Sequence, residues 1–333
     1  MKKILMIACS LVIFPVHSNA LNIVLTNDDS HETANVQQLR LALEKAGHDV
    51  LVSVPCAHQS GKGGSLGSFL KPTPVHNLVA DADGVLSIDD DASKPQGYCV
   101  GDLEADKKTK TFADFRDGTP IQAASFGLYK ANEIWGKNPD LLISGPNEGR
   151  NVGFAVLISG TLGAAHYAIS RSVPAVAISA GRTPKDKGDA LKNAGMVADI
   201  ALKIVDELVA GMKSGEPVLP PQTGLNVNTP DFKKLAGAKF QFTNVNWLWG
   251  LLPKWDNLGA AKSIGARRGY KAEDGKMGLN FYFGDESGDK FPDSESRVAS
   301  GGAIAISVIE GTTNAPQDKT DMMRAKLKGL VGN

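Results

Sequence analysis

Residues 21–26, LNIVLT, are apolar but for Asn22 and Thr26 and stop at Asn27-Asp28-Asp29. A run of this length with apolar residues at both parities predicts a strand buried on both faces. ANVQQLRLALEKAG follows, with Val36, Leu39, Leu43 and Ala46 at helical spacing, Thr33 placed to cap it and Gly47 to close it. HDVLVSVP predicts a second strand, completing a β-α-β unit of the kind found in parallel sheets covered on both sides.

The pattern breaks between Gly61 and Asp117, where Gly, Pro, Asp and Lys accumulate; irregular loops with short hairpins are expected there. Alternation then resumes. PIQAASFGLYKANEIW predicts a helix, DLLIS (140–144) a strand, GTLGAAHYAISRS a helix, PAVAIS (174–179) a strand, residues 189–212 a long helix and GLNVNTP another strand. The economical topology is α/β, a Rossmann-like doubly wound and mostly parallel sheet. After Pro230 the pattern changes to Trp247, Trp249, Trp255 and glycines among short strand-like pieces such as KMGLNFYFG and GGAIAISVIE. Residues 231–333 are therefore expected to form a β-rich C-terminal extension to a core spanning 21–230, with no internal repeat.

Residues 1–20 stand outside this pattern. Lys2 and Lys3 precede the apolar ILMIACSLVIF, and Ser18-Asn19-Ala20 ends on a small residue, the layout of a secretory signal peptide and too short for a membrane span. The mature chain is then expected to begin near Leu21, exported to the periplasm or beyond and off the membrane once cleaved. Cys56 and Cys99 are left as its two cysteines, and an even pair in an oxidising compartment is expected to form a disulfide. Lys+Arg and Asp+Glu each total 36 in the 333 residues, a balance that argues against a partner such as duplex nucleic acid.

Candidate chemistry gathers just past the ends of predicted strands: Asp28-Asp29, HQSGKGG (58–64), SGPNEGRN (144–151) and SAGR (179–182). That edge of an open α/β sheet is where ligands bind, although Asp, Ser, Gly and Asn are also ordinary turn and cap residues. Ser159-Gly160-Thr161 opens a helix, a place suited to an anion such as phosphate and equally to a simple N-cap. Taken together, Asp28, Asp29, Ser60 and Asn147 make a hard, all-oxygen donor set for Mg²⁺, Mn²⁺ or Ca²⁺. A phosphate-binding helix start beside them would complete a metal-assisted phosphohydrolase.

LTNDD, QSG, DGTP (117–120), PDLLISGPNEGRNVG, ISGTLGAA, VPAVAIS and LNVNTP resemble, in order and spacing, the survival-protein E (SurE) nucleotidases. The resemblance covers about Leu21 to Pro230 and returns at SRVASGGAIAISV. It implies a Rossmann-like core, a divalent metal and hydrolysis of nucleoside 5′- or 3′-monophosphates. Acid phosphatase activity occurs in some members, and homodimers or tetramers form through a C-terminal arm. It puts the metal, and with it catalysis by Asp28 and Asp29, on Asp28, Asp29, Ser60 and Asn147. Substrate or phosphate binding is expected at Asn27, Ser159, Gly160 and Thr161.

Three departures stand out. Ser30 replaces the glycine usual after the paired aspartates. Gly64 replaces an asparagine four residues after the loop serine, and Gly118-Thr119-Pro120-Ile121-Gln122-Ala123 departs from the related block. With the leader, the QSGKGG loop is similar to exported members described as acid phosphatases. Ser30 and Gly64 favour the alternative of a catalytically weakened, secreted nucleotide- or partner-binding protein. His31, His58 and His166 lie near the motifs and are read as surface or cap histidines, and Lys62 and Arg150 as solvated loop cations that can also meet phosphate.

Overall fold

The computed structural model describes residues 20–67, 71–111, 113–245, 251–267, 269, 275–283, 291–311 and 314–327. The expected leader, apart from Ala20, lies outside them, as do Trp247 and Trp249. The described part opens with β1 (Asn22–Thr26), α1 (Ala34–Lys45) and β2 (Asp49–Pro55). Then come β3 (Val75–Ala80), β4 (Leu86–Ile88), β5 (Gly97–Val100) and a 3-10 turn at Glu104–Lys108. The sequence continues with α2 (Pro120–Trp135), β6 (Leu141–Asn147), the single turn α3 (Ala155–Ile158), α4 (Gly160–Ser170) and β7 (Ala175–Ser179). The long α5 (Lys187–Gly211) and β8 (Thr223–Asn228) follow. Beyond Pro230 lie α6 (Phe232–Leu235), β9 (Phe240–Thr243), β10 (Leu251–Asn257), α7 (Ile264–Arg267), β11 (Met277–Phe283), α8 (Glu295–Gly301), β12 (Ile304–Glu310) and α9 (Gln317–Lys326).

Ten strands form one sheet in the order β4-β3-β5-β2-β1-β6-β7-β8-β12-β9. From β5 to β8 the neighbours are parallel. The strand order reverses between β1 and β6, which places the switch-point crevice of a doubly wound fold past Thr26 and Asn147. Alternating residues of the central strands feed two layers. Ile23, Leu25, Leu141, Ile143, Val176 and Ile178 pack with Val36, Leu39, Leu43 of α1 and Val197, Ala201, Ile204 of α5. On the other face Val24, Leu142, Ala175 and Ala177 meet Ala124 and Leu128 of α2 and Leu162, Ala165 and Ile169 of α4. Continuous apolar strands are what a sheet covered on both sides requires.

The 61–117 stretch holds more sheet than its composition suggests. β3 and β4 form a hairpin, as expected, but β5 is a full member, pairing parallel with β2 and antiparallel with β3. In the C-terminal part, β10 and β11 make a separate two-stranded ribbon, whereas β12 and β9 extend the main sheet, β12 lying antiparallel to β8 and parallel to β9. Helices α6 to α9 are interleaved with these strands, α8 packing against β12, β8 and β9. Among the described residues no helix is long and apolar enough to cross a membrane.

Local chemistry accounts for several helix ends. Thr119 caps α2, accepting from Gln122 N, while Gln122 Oε1 accepts from Thr119 N, a reciprocal box with Pro120 as first helical residue. The departure at Gly118–Ala123 is thus a well-made helix start. Thr33 occupies the cap position of α1, yet its hydroxyl makes no capping bond there; Gly47 closes that helix with φ +94°.

Candidate active site

β1 delivers Asp28 and Asp29 to the crevice, and both side chains are buried, 3% and 5% exposed. Two adjacent carboxylates away from water repel each other and lose hydration. Burial first, and the Asp29 charge second, push the Asp28 carboxyl above its ordinary range, while the Thr161 hydroxyl works against that shift. Thr161 Oγ1 donates to Asp28 Oδ1 at 2.8 Å. The start of α4 lies directly on this carboxylate. A Cβ added at Gly160 would stand 2.7 Å from Asp28 Cβ and 3.0 Å from its Oδ2, so only glycine lets the helix terminus come this close.

Asp29 is held from two other loops. Its Oδ2 accepts from Glu148 N at 2.8 Å, at the end of β6, and its Oδ1 sits 3.0 Å from His58 Nδ1, in the loop after β2. That bond to Asp29 raises the His58 pKa, against the effect of partial burial. The surface reading of His58 is therefore incomplete: the ring is half-exposed, but one nitrogen belongs to the acidic pair. Its main chain is clamped as well, N donating to Glu104 Oε2 at 2.9 Å and O accepting from Lys107 Nζ at 3.3 Å.

The remaining expected residues arrive at the same edge. Gln59 N donates to Asp28 O at 2.8 Å, which ties the Ser60 loop to β1; Ser60 itself is exposed. Asn147 Nδ2 donates to Gly149 O at 2.6 Å, which fixes the other end of that amide as the acceptor Oδ1. Ser159 takes the cap reading: its Oγ accepts from Leu162 N at 3.1 Å. Asn27 is fully buried, and its Nδ2 donates to Ser30 O at 2.9 Å, which makes it a brace for the turn. Ser30 stands in the left-handed region, φ +74°, the conformation that glycine would adopt at least cost.

The other flagged side chains sort by their partners. His31 is buried beside Ser30 Oγ (3.2 Å), and burial lowers its pKa. His166 is exposed on α4. Lys62 pairs with Asp117 at 2.7 Å, and Arg150 reaches Asp231 at 3.4 Å. Cys56, just past the end of β2, and Cys99, on the neighbouring β5, form a disulfide.

A polar layer beneath the site escapes a reading of the sequence alone. Asn151 Nδ2 donates to Thr161 Oγ1 at 3.2 Å and to Ser179 Oγ at 2.9 Å. The Asn151 main chain is gripped by Asn228, whose Oδ1 accepts from its N at 2.9 Å and whose Nδ2 donates to its O at 3.2 Å. Asn226 Nδ2 also donates to that carbonyl, at 3.3 Å. The signal for Asn226 and Asn228 is present in LNVNTP, where polar residues two apart on a strand share one face.

The donor set suits a hard divalent cation. Among the described residues His58 is the one side chain able to carry positive charge within ion-pair distance of either aspartate, so the buried acidic pair is a place where a cation would be stabilised. The oxygens on offer are carboxylate, hydroxyl and amide, the ligands preferred by Mg²⁺, Mn²⁺ and Ca²⁺.

Known proteins resemble this chain in sequence and in fold. A profile of the family "Survival protein SurE" matches residues 23–247. An acid phosphatase of Yarrowia lipolytica is 34% identical over 228 residues, 65% of this chain and 58% of that one, so the match spans little more than half of that relative. A 5′-nucleotidase SurE of Campylobacter hominis is 31% identical over 234 residues, covering 67% of this chain and 74% of that one. The crystal structure of the SurE protein from Aquifex aeolicus superposes with a TM-score of 0.63 at 19% identity, over 92% of this chain and 99% of that chain, a likeness of fold.

Proposed function

The chain belongs to the survival protein SurE family, and on that premise we propose that it is a phosphoric monoester hydrolase dependent on a divalent metal. Its substrates would be nucleoside 5′- or 3′-monophosphates, or a broader set of phosphomonoesters as in an acid phosphatase. The observation that carries this reading is the seating of the Asp28 carboxylate against the first residues of α4, with Asp29 bound to the loop of Asn147.

Asp28, Asp29, Ser60 and Asn147 would hold Mg²⁺ or Mn²⁺, Ca²⁺ being the other cation that fits. When bound, such an ion supplies Lewis acidity and a water of lowered pKa. The protein's own part is binding and orientation. The N–H groups of Gly160 and Thr161, in the first turn of α4, have no carbonyl four residues back within the helix. They would stabilise negative charge on the oxygens of a phosphoryl group as its ester bond breaks. His58 Nδ1 and Glu148 N fix the two oxygens of Asp29, so the carboxylate is preorganised before substrate arrives. Asp28 is fixed in the same way by Thr161.

The same reading carries export after loss of residues 1–20 and assembly into a homodimer or tetramer. Support for the latter comes from the β10-β11 ribbon, where Trp255 faces Leu279 in register and Met277 shares the face of Leu279, 70%, 40% and 74% exposed, since contiguous exposed apolar side chains mark contact surfaces.

Phosphate release from p-nitrophenyl phosphate and a nucleotide panel tests the reading. Activity is expected to vanish with EDTA, to return with Mg²⁺ or Mn²⁺, and to be lost in a folded Asp28→Asn variant. Near-normal turnover in that variant would refute the site. Nucleotide binding with no phosphate release by the wild type would leave the binding-protein alternative standing.

A further inference from the structure

Glu295 is fully buried, the first residue of α8, 135 residues beyond the start of α4 and outside every motif that builds the site. A carboxylate in that position is costly unless each oxygen is satisfied. Here the partners that meet it all donate. Gly153 N reaches Oε1 at 3.2 Å, and Asn226 Nδ2 and Ser307 Oγ reach Oε2 at 2.8 and 3.1 Å. Thr243, Ser307 and Asn226 are register partners across β9, β12 and β8, so the carboxylate faces a polar row that crosses three adjacent strands.

The direction of each bond matters. An amide nitrogen has two protons; Asn226 Nδ2 gives one to Glu295 and one to Asn151 O. Gly153 N is also committed to Glu295. The main chain is therefore pinned on both sides of Val152, at Asn151 and at Gly153. Asn151 Nδ2 is then set to donate into Thr161 Oγ1. A threonine hydroxyl has a single proton, and with Asn151 donating to its oxygen that proton goes to Asp28 Oδ1. An unbroken path of hydrogen bonds therefore runs from a buried acid of the C-terminal part to the aspartate at the centre of the site.

We propose that Glu295 is a positioning residue for the hydrolysis: through Asn226 and Gly153 it holds Asn151, and through Asn151 and Thr161 it orients the Asp28 carboxylate. The inference rests on the phosphohydrolase reading above and adds to it a part of the chain that touches neither substrate nor metal. Outer groups that orient ligating residues commonly change activity or metal affinity by about 10- to 100-fold when replaced.

The test uses the full-length chain. Glu295→Gln keeps the shape but turns an NH₂ toward one of the donors. Its kcat/KM for p-nitrophenyl phosphate is expected to fall by about tenfold or more, and its Mn²⁺ affinity, read by calorimetry, to weaken in step. Val298→Ala, on the same helix, is the control for lost packing: its melting temperature should fall while activity well below that temperature holds. Asn151→Ala closes a double-mutant cycle, in which the second substitution is expected to add less than about threefold once the first is made, because both cut one path. If Glu295→Gln fails to fold, Ser307→Ala removes one donor more gently, with a loss of about two- to fivefold expected and the same coupling to Asn151. An active wild type whose Glu295 and Ser307 variants match it in kcat/KM and Mn²⁺ affinity, or whose losses multiply independently with Asn151→Ala, overturns the positioning role alone. A wild type that releases no phosphate from any substrate overturns the phosphohydrolase reading and this role with it.

Discussion

Thr161 Oγ1 donates its proton to Asp28 Oδ1 at 2.8 Å, joining residues 133 positions apart at the point where β1 ends and α4 begins. Thr161→Val keeps the shape of the side chain and removes both that donor and the acceptor of Asn151 Nδ2. Stability should fall by about 1–3 kcal/mol for the one buried N–H of Asn151 left without an acceptor, its other proton staying on Ser179, and kcat by about 10- to 100-fold. Thr161→Ser retains the hydroxyl and with it both bonds, so its turnover should stay within a few-fold of wild type. Steady-state kinetics alongside urea melts decides; equal activity in the valine and serine variants would contradict the role given to the bond.

Two glycines in helices should respond oppositely to alanine. At Gly195 in α5 a Cβ meets nothing within 4 Å, so Gly195→Ala should stabilise by about 1 kcal/mol through helix propensity and leave turnover alone. At Gly160 the same methyl would come 2.7 Å from both Asp28 Cβ and Pro120 Cγ. Gly160→Ala should therefore displace the aspartate and cost about tenfold or more in kcat/KM. Calorimetric melting and kinetics on the two variants check the contrast.

Cys56 and Cys99, 43 residues apart, are bonded. In the chain-entropy view, removing a cross-link that closes a loop of this length costs about 4 kcal/mol. The loop that follows Cys56 has further anchors, Gln59 N on Asp28 O and Gly63 N on Ile158 O. Dithiothreitol, or the Cys56→Ala/Cys99→Ala pair, should then lower the urea midpoint markedly while activity in the absence of denaturant persists. Intact-mass analysis of the native protein after alkylation should find no free thiol at either position.

Burial raises the Glu295 carboxyl from its ordinary 4.5 to about 7, against the bonds from Gly153, Ser307 and Asn226. A carboxyl with a raised folded-state pKa holds its proton longer folded than unfolded. Its contribution to stability is whole below pH 4.5, shrinks as pH rises, and is gone above about 7. The size is about 3 kcal/mol for a shift of this order. Denaturant unfolding measured from pH 4 to 8 should show a steeper fall for wild type than for Glu295→Gln; parallel curves would rule the linkage out.

What is legible in the sequence follows from distance along the chain. The central strands and α2, α4 and α5 are local patterns, and Asp28, Asp29, Asn147 and Thr161 sit in motifs beside strand ends. The strand β5 is four residues, GYCV, in polar surroundings, and its partners β2 and β3 are set by tertiary pairing that no local period reveals. Glu295 and Asn226 are harder still, because they act on partners 142 and 75 residues away. His58 is ambiguous for a different reason: a half-exposed imidazole looks alike in sequence whether or not an aspartate waits across the loop. Ser30 is legible as a departure, and its positive φ gives that departure a backbone meaning.

The order of the strands also bears on how the chain is made. β12, the last strand among the described residues, is an interior strand, inserted between β8 and β9. While a ribosome is still adding the residues before Ile304, β8 offers an unpaired edge and β9 has no neighbour in the sheet. The nascent chain thus carries an open, strand-hungry margin until β12 has been added. During that interval a holding chaperone would have most to protect, and a premature stop ahead of Glu310 would leave that margin permanently bare.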